Sequence, residues 1–281
     1  MNRKTGIPGI ILFMIITFLL ILVFSIVGCF IFRVDLGETD LMNRLIPPSF
    51  LERGRPEYVF GTDSLGRDFA IRLIYATRNT FQISFTAMSI SITIGLIFGT
   101  LAGFYRGWTD LVISFITDIR LSIPFTVITL VCAAVFGSGK LTMTLIMGFT
   151  GWAGFTRLIR GQIIQLRESS FIVASRSIGG STLRILFEHI LINIASPLIV
   201  FSTLSLSEFI MLESSMSFIG LGIQPPDVSL GKLVSEGRDH LINNWWLTIF
   251  PSIIIIVIVL QIALIGDWLR DKLDPKLKVS S

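Results

Sequence analysis

Phe81-Gln-Ile-Ser-Phe-Thr-Ala-Met-Ser-Ile-Ser-Ile-Thr-Ile-Gly-Leu-Ile-Phe-Gly-Thr-Leu-Ala-Gly-Phe104 is the stretch that decides the fold class. It carries no charge and is long enough to cross a bilayer, which takes roughly 20 apolar residues. Gly95, Gly99 and Gly103 recur every fourth position, so they share one face of a helix. A glycine face lets a second helix backbone come close, which is how helices associate in lipid.

Five further apolar runs lie around it. Ile7 to Phe32 follows Arg3 and Lys4, and is too long and too uncleavable for a signal peptide. Shorter runs cover about Ile123 to Phe136, opening at Pro124, and Leu141 to Phe155. Two longer ones cover about Ile190 to Leu212 and Trp246 to Trp268. Asp110 to Arg120, with Asp118 and Arg120, reads as an amphipathic interfacial helix. The expectation is an all-α integral membrane protein with about six transmembrane helices. Residues 1–80 form an N-terminal helix and external loop, and residues 81–281 a core of five helices. Trp245, Trp246 and Trp268 read as interfacial anchors.

Composition agrees: 52% of residues are hydrophobic and 15% charged, and mean hydropathy is +0.78. A soluble domain carries about 25% charged residues. The net charge of +4 comes without a basic, aromatic-interleaved block, so nucleic acid is not an expected partner. Cys29 and Cys132 sit in apolar runs without metal or redox spacing, and His189 and His240 stand far apart. No metal site, catalytic centre or chain-bound cofactor is expected.

Lys and Arg in short loops mark the cytoplasmic side. Arg157, Arg160, Arg167, Arg176 and Arg184 lie between the fourth and fifth runs, and Arg270, Lys272, Lys276 and Lys278 in the tail. Both termini are therefore placed in the cytoplasm. The loop after the first run is also arginine-rich, but it is long and balanced by acids from Asp35 to Asp68.

The loop at 165–190 is the candidate site. Phe171, Ala174, Ser175 and Ile178 fall at i, i+3, i+4 and i+7, an apolar helical face. Gly179-Gly180 stops that helix, and Ser181 caps a second one bearing Leu183, Leu186, Phe187 and Ile190. Two apolar faces on a cytoplasmic loop need a cover, either the lipid surface or a docked protein. Gly137-Ser-Gly-Lys140 mimics a phosphate-binding loop but lacks its upstream glycine and the Ser/Thr after the lysine; it reads as a turn.

The 165–190 loop resembles the "EAA" coupling loop of bacterial ABC importer permeases. Ala174 and Gly179 match, Ser175 nearly so, while Val173 replaces the usual Glu and Ile192 the usual Pro. Phe60-Gly-Thr-Asp-Ser-Leu-Gly-Arg-Asp68, Gly151-Trp152 with Arg157-Leu-Ile-Arg-Gly-Gln162, Ser217-Phe-Ile-Gly-Leu-Gly-Ile-Gln-Pro-Pro226 and Gly266-Asp-Trp-Leu-Arg-Asp-Lys-Leu-Asp-Pro275 resemble signatures of the peptide/nickel permeases, C-type subunit. The resemblance implies a type I importer permease in the bacterial inner membrane. It implies a second homologous permease, one or two cytoplasmic ATPase subunits that bind ATP and Mg, an extracytoplasmic substrate-binding protein, and lipid. The coupling residues are then Phe171, Val173, Ala174, Ser175, Arg176, Ile178 and Gly179.

Other expectations concern single side chains. Glu208 and Glu213, carboxylates in the fifth run, line a translocation path that meets a peptide amino terminus or a metal complex. Asp63, Arg67 and Asp68 either seat the binding protein or tie the external loop by salt bridges. Peptide is the expected cargo, with nickel or a metal chelate as the alternative. A channel or secondary carrier that works without an ATPase is the rival class.

Overall fold

The computed structural model describes residues 8–32, 36–177, 181 and 184–273. Among them the regular structure is helical: α1 (Gly9–Ile31), α2 (Phe69–Tyr105), α3 (Gly107–Ser122), α4 (Phe125–Phe136), α5 (Lys140–Thr150), α6 (Trp152–Arg167) and α7 (Ser170–Ser177). A π-helical turn, Ile185–Ile190, then leads directly into α8 (Leu191–Ile219), followed by α9 (Leu230–Gly237) and α10 (Trp246–Leu273).

Four helices are long and apolar enough to cross a membrane by themselves: α1, α2, the π turn with α8, and α10. The third expected run is built differently. The 12 residues of α4 span only ~18 Å, short of the ~30 Å hydrocarbon core. With α3 it forms a pair bent by 86°, and Pro124 stands at the bend as the N-cap of α4. The fourth run is divided at Gly151 between α5 and α6.

Helix α2 begins well before its apolar stretch. Asp68 caps it, accepting from the Ala70 and Ile71 amides at 2.8 and 3.1 Å. The polar first turns are buried at Arg72, Thr77, Asn79 and Thr80, so tertiary contacts replace the apolarity that hydropathy looks for. At 37 residues α2 is ~55 Å long and projects beyond a bilayer core.

The glycine face of α2 is the spine of the molecule. A Cβ at Gly95 would stand 2.4 Å from the Phe155 Cβ, one at Gly99 2.8 Å from Ile159, and one at Gly103 2.9 Å from Ile163. Ser91 donates to the Gly148 carbonyl at 2.8 Å. Positions 91, 95, 99 and 103 thus climb alongside 148, 155, 159 and 163, so α2 runs parallel to α5 and α6. Helix α8 runs antiparallel to α10, with Ser207 level with Val259 and Leu204 against Gly266.

The two ends of this bundle differ. The cap end carries residues 36–68, the start of α2, α9 and the start of α10; the opposite end carries α7. Helix α1 lies on the outside and is mostly exposed. It is tied by the Tyr75 hydroxyl donating to the Phe32 carbonyl at 2.9 Å and by Gln261 donating to Thr17 at 2.8 Å. Trp246 corrects the anchor expectation: it is only 4% exposed and packs in the core at the α9–α10 junction, while Trp245 keeps an exposed edge.

Candidate functional site

At the end opposite the cap, α7 and the π turn form a knob. Among the described side chains of α7 only Ile172 is buried, at 0% exposure, and it anchors the helix to the core. Phe171 and Val173 are 44% and 53% exposed, and Ala174 is exposed beside them. Phe171 and Ala174 of the predicted apolar face are therefore presented outward, without cover from the described residues. The Ser175 hydroxyl lies 3.5 Å from His189 Nε2, and the Phe171 ring meets the His189 ring edge-on at 6.3 Å. The Arg176 side chain, Ile178, Gly179, Gly180, Thr182 and Leu183 lie outside the described residues.

The knob continues into α8 through the π turn. Ser181 accepts from the Arg184 amide at 3.3 Å, the capping role its residue type suggests. Ile185 and Ile190 are buried, whereas Phe187 is 60% exposed. Asn193 donates its side-chain amide to the His189 carbonyl at 2.6 Å, satisfying backbone where the helix changes pitch. Seven residues past the turn's end, Pro197 removes one more α-helical hydrogen bond. The lower part of α8 thus departs from ideal helix twice, where it meets the knob.

Arginines that read from sequence only as topology signals have specific partners. Arg160 pairs with Asp110 of α3 through Nε and Nη2, one to each carboxylate oxygen. Arg157 pairs with Asp118 at 2.6 Å, and Arg106 with Glu168 at 2.7 Å. Arg120 donates to the Thr150 carbonyl and stacks over Phe125, 5.2 Å from its centroid. These contacts hold α3 along α6 and brace the base from which α7 protrudes.

At the cap end, Asp63 is turned inward, while Arg67 and Asp68 are half-buried. Asp63 is 3% exposed. Its carboxylate accepts from the Leu65 and Arg67 amides, from Arg67 Nε at 2.7 Å and from an Arg72 guanidinium nitrogen at 2.6 Å. The same Arg72 nitrogen reaches Glu236 of α9 at 2.8 Å. Gly66 makes this loop possible: it has φ +78, and a Cβ there would stand 1.7 Å from the Asp40 carbonyl oxygen. Asp63, Arg67 and Asp68 thus hold the loop together and join it to α2, and through Arg72 to α9.

The two candidate carboxylates of α8 part company. Glu213 is wholly buried; Ser217 donates to its Oε1 at 2.7 Å, and the Thr80, Ser214 and Ser229 hydroxyls crowd around it. Neighbouring contacts sew α9 to α2: Asn79 donates to the Val228 carbonyl at 2.7 Å, and Thr80 accepts from the Leu230 amide at 3.2 Å. Lys140 donates to Asn79 and Gln82, both at 2.8 Å, so the false phosphate-loop lysine is a structural tie. Glu208, by contrast, is exposed.

Comparison with known proteins supplies the context. Residues 95–279 match the family described as binding-protein-dependent transport system inner membrane component. The chain is 37% identical over 234 residues to the di/tripeptide transport system permease protein of Pseudomonas aeruginosa (strain UCBPP-PA14), covering 83% of this chain and 77% of that one. It is 34% identical over 264 residues to the oligopeptide transport system permease protein of Bacillus subtilis (strain 168), covering 94% and 85%. Among solved structures, an inward-facing form of the MetNI methionine ABC transporter aligns with TM-score 0.59 at 18% identity, over 72% of this chain and 96% of that chain. That likeness concerns the fold, the type I importer permease. By its family match and its relatives, this chain belongs to the inner membrane components of binding-protein-dependent transport systems.

Proposed function

We propose that this chain is one of two homologous permease subunits of an ATP-driven importer of di- and oligopeptides. The observation that carries the reading is the knob: an outward apolar patch of Phe171, Val173 and Ala174, anchored by Ile172 and joined to a spanning helix. Such a patch is suited to insertion into a partner. Peptide as cargo rests on the names of the relatives, the di/tripeptide and oligopeptide permeases.

In the mechanism we infer, the knob lies in the cytoplasm and seats in a groove of an ATPase subunit. Phe171, Val173, Ala174, Ser175, Arg176, Ile178 and Gly179 form the contact. ATP and Mg are held by the ATPases, whose closure moves the knobs of both permeases. A moving groove shifts the bundle only if its contacts differ between the two states, which demands a knob that moves as one piece with α8. Both chain termini lie in the cytoplasm, and the cap faces an extracytoplasmic binding protein that delivers cargo. The apolar face of Val173, where the resemblance expects Glu, makes this contact by burial rather than by a salt bridge.

The test is co-expression with the neighbouring permease, ATPase and binding-protein genes, purification in mild detergent and reconstitution. Peptide uptake that requires ATP and the binding protein is the expected result. Uptake of nickel or a metal chelate but not of peptide would replace the cargo assignment. Uptake by this chain without any ATPase, driven by an ion gradient, would overturn the function itself.

A further inference from the structure

Glu208 stands about midway along the 29-residue α8. Its neighbour Ser207 lies level with Val259, itself at the middle of α10. Depth is therefore fixed from two helices at once: this carboxylate sits near the centre of the bundle's height. It is exposed, and among the described residues it makes no hydrogen bond or ion pair. An ionisable group at that depth is costly against lipid and is met facing a protein partner or water.

The surface around it has the same character. Met211, Ser215 and Phe218 follow at i+3, i+7 and i+10, on the face that Glu208 occupies. Met211 and Phe218 are 55% and 37% exposed, and Ser215 is exposed with its hydroxyl turned back on the Met211 carbonyl at 2.8 Å. The opposite face of α8, with Phe209, Ile210, Glu213 and Ser217, is buried in this chain. A thioether, an aromatic ring and one carboxylate make a stripe that tolerates varied side chains while offering a single fixed charge. Glu213, enclosed by hydroxyls, is removed from that surface.

We propose that Glu208 lines the translocation path and binds the protonated amino group of the cargo during passage. The proposal rests on the peptide-importer reading above and adds the chemistry that the path recognises: a primary ammonium, which a buried-depth carboxylate attracts far more strongly than it would in bulk water. The carboxylate is the specificity element, and Met211 and Phe218 supply contact that does not depend on sequence.

Two measurements on the reconstituted importer test it. In the first, Cys29 and Cys132 are replaced by Ala and Glu208→Cys is introduced; a water-soluble, membrane-impermeant thiol reagent reacts at position 208, and peptide delivery slows the reaction. In the second, turnover is measured with binding protein saturated in turn with a tripeptide and its N-acetylated form. Glu208→Gln lowers turnover of the free-amino peptide by about tenfold, the weight of one hydrogen bond to a charged group, and leaves the acetylated peptide unchanged. No reaction at position 208, or an equal loss for both peptides, overturns the proposal. So does dissociation of the two permeases by Glu208→Gln, which would assign the carboxylate to an ion pair between subunits. Failure of the unmodified importer to move either peptide refutes the peptide reading and this proposal with it, whereas labelling at position 208 still reports whether the stripe is wet.

Discussion

Arg72 shows how much can depend on one side chain. It is 4% exposed and shared between Asp63 of the cap loop and Glu236 of α9. Removing one partner of a buried pair leaves an uncompensated charge, at a cost of about 3–5 kcal/mol. Arg72→Ala is expected to lower the melting temperature of the detergent-purified chain and to render the 36–68 loop protease-sensitive, while Arg55→Ala, on an exposed arginine of the same loop, changes neither. Gly95 is the second such residue. A side chain there collides with Phe155, so Gly95→Leu forces α2 away from α6 or costs about 1–3 kcal/mol of strain. A thermal shift assay on Gly95→Leu, beside Gly9→Leu on the open face of α1 where a Cβ meets nothing within 4 Å, separates packing from hydropathy.

The π turn, Ile185–Ile190, is the element that joins the knob to α8, and in the function we propose it carries the coupling. It accommodates an extra residue within what would otherwise be continuous helix, a geometry often met at functional sites. Deleting Phe187, whose side chain is largely exposed, removes the extra residue and restores α pitch, so the bulge at the junction of knob and α8 is lost. The bundle packing of α8 is untouched by that change. The expected outcome is normal membrane insertion and permease pairing with ATP-driven uptake abolished; full uptake would show that the turn carries no motion. At α7 itself, Ala174→Asp places a charge on the exposed apolar patch. It is expected to reduce ATPase retention on purification by about tenfold or more, the scale of burying an unpaired charge, whereas Ile172→Ala loosens the knob and lowers stability instead.

At the scale of the whole molecule, the division of labour follows from where charge is placed. Pairs between α3 and α6, and the cap network around Arg72, sit at the two ends of the bundle, and the middle is held by glycine contacts and apolar packing. The exposed apolar surface of α1 requires lipid, whereas the Glu208 stripe requires something else. Cysteine labelling from each side of intact cells checks the overall orientation: residues at the α7 knob are expected to react only from the cytoplasmic side, and residues of the 36–68 loop only from outside.

Sequence alone determined the membrane class, the close α2 contact through Gly95, Gly99 and Gly103, the position of the α7 knob and the family motifs. Each depends on local signals: uncharged length, four-residue spacing, and helical periodicity around Phe171. What depends on partners distant in sequence was decided only by tertiary structure. Nothing near Glu213 in the chain reveals that Thr80 and Ser229 enclose it, so Glu208 and Glu213 read alike until packing separated them. That Asp63 and Arg67 belong to one network with Arg72 and Glu236 was likewise visible only once the loop was folded onto α2 and α9. Hydropathy also missed the first turns of α2, because burial against α9, rather than lipid, is what holds those polar residues in a helix.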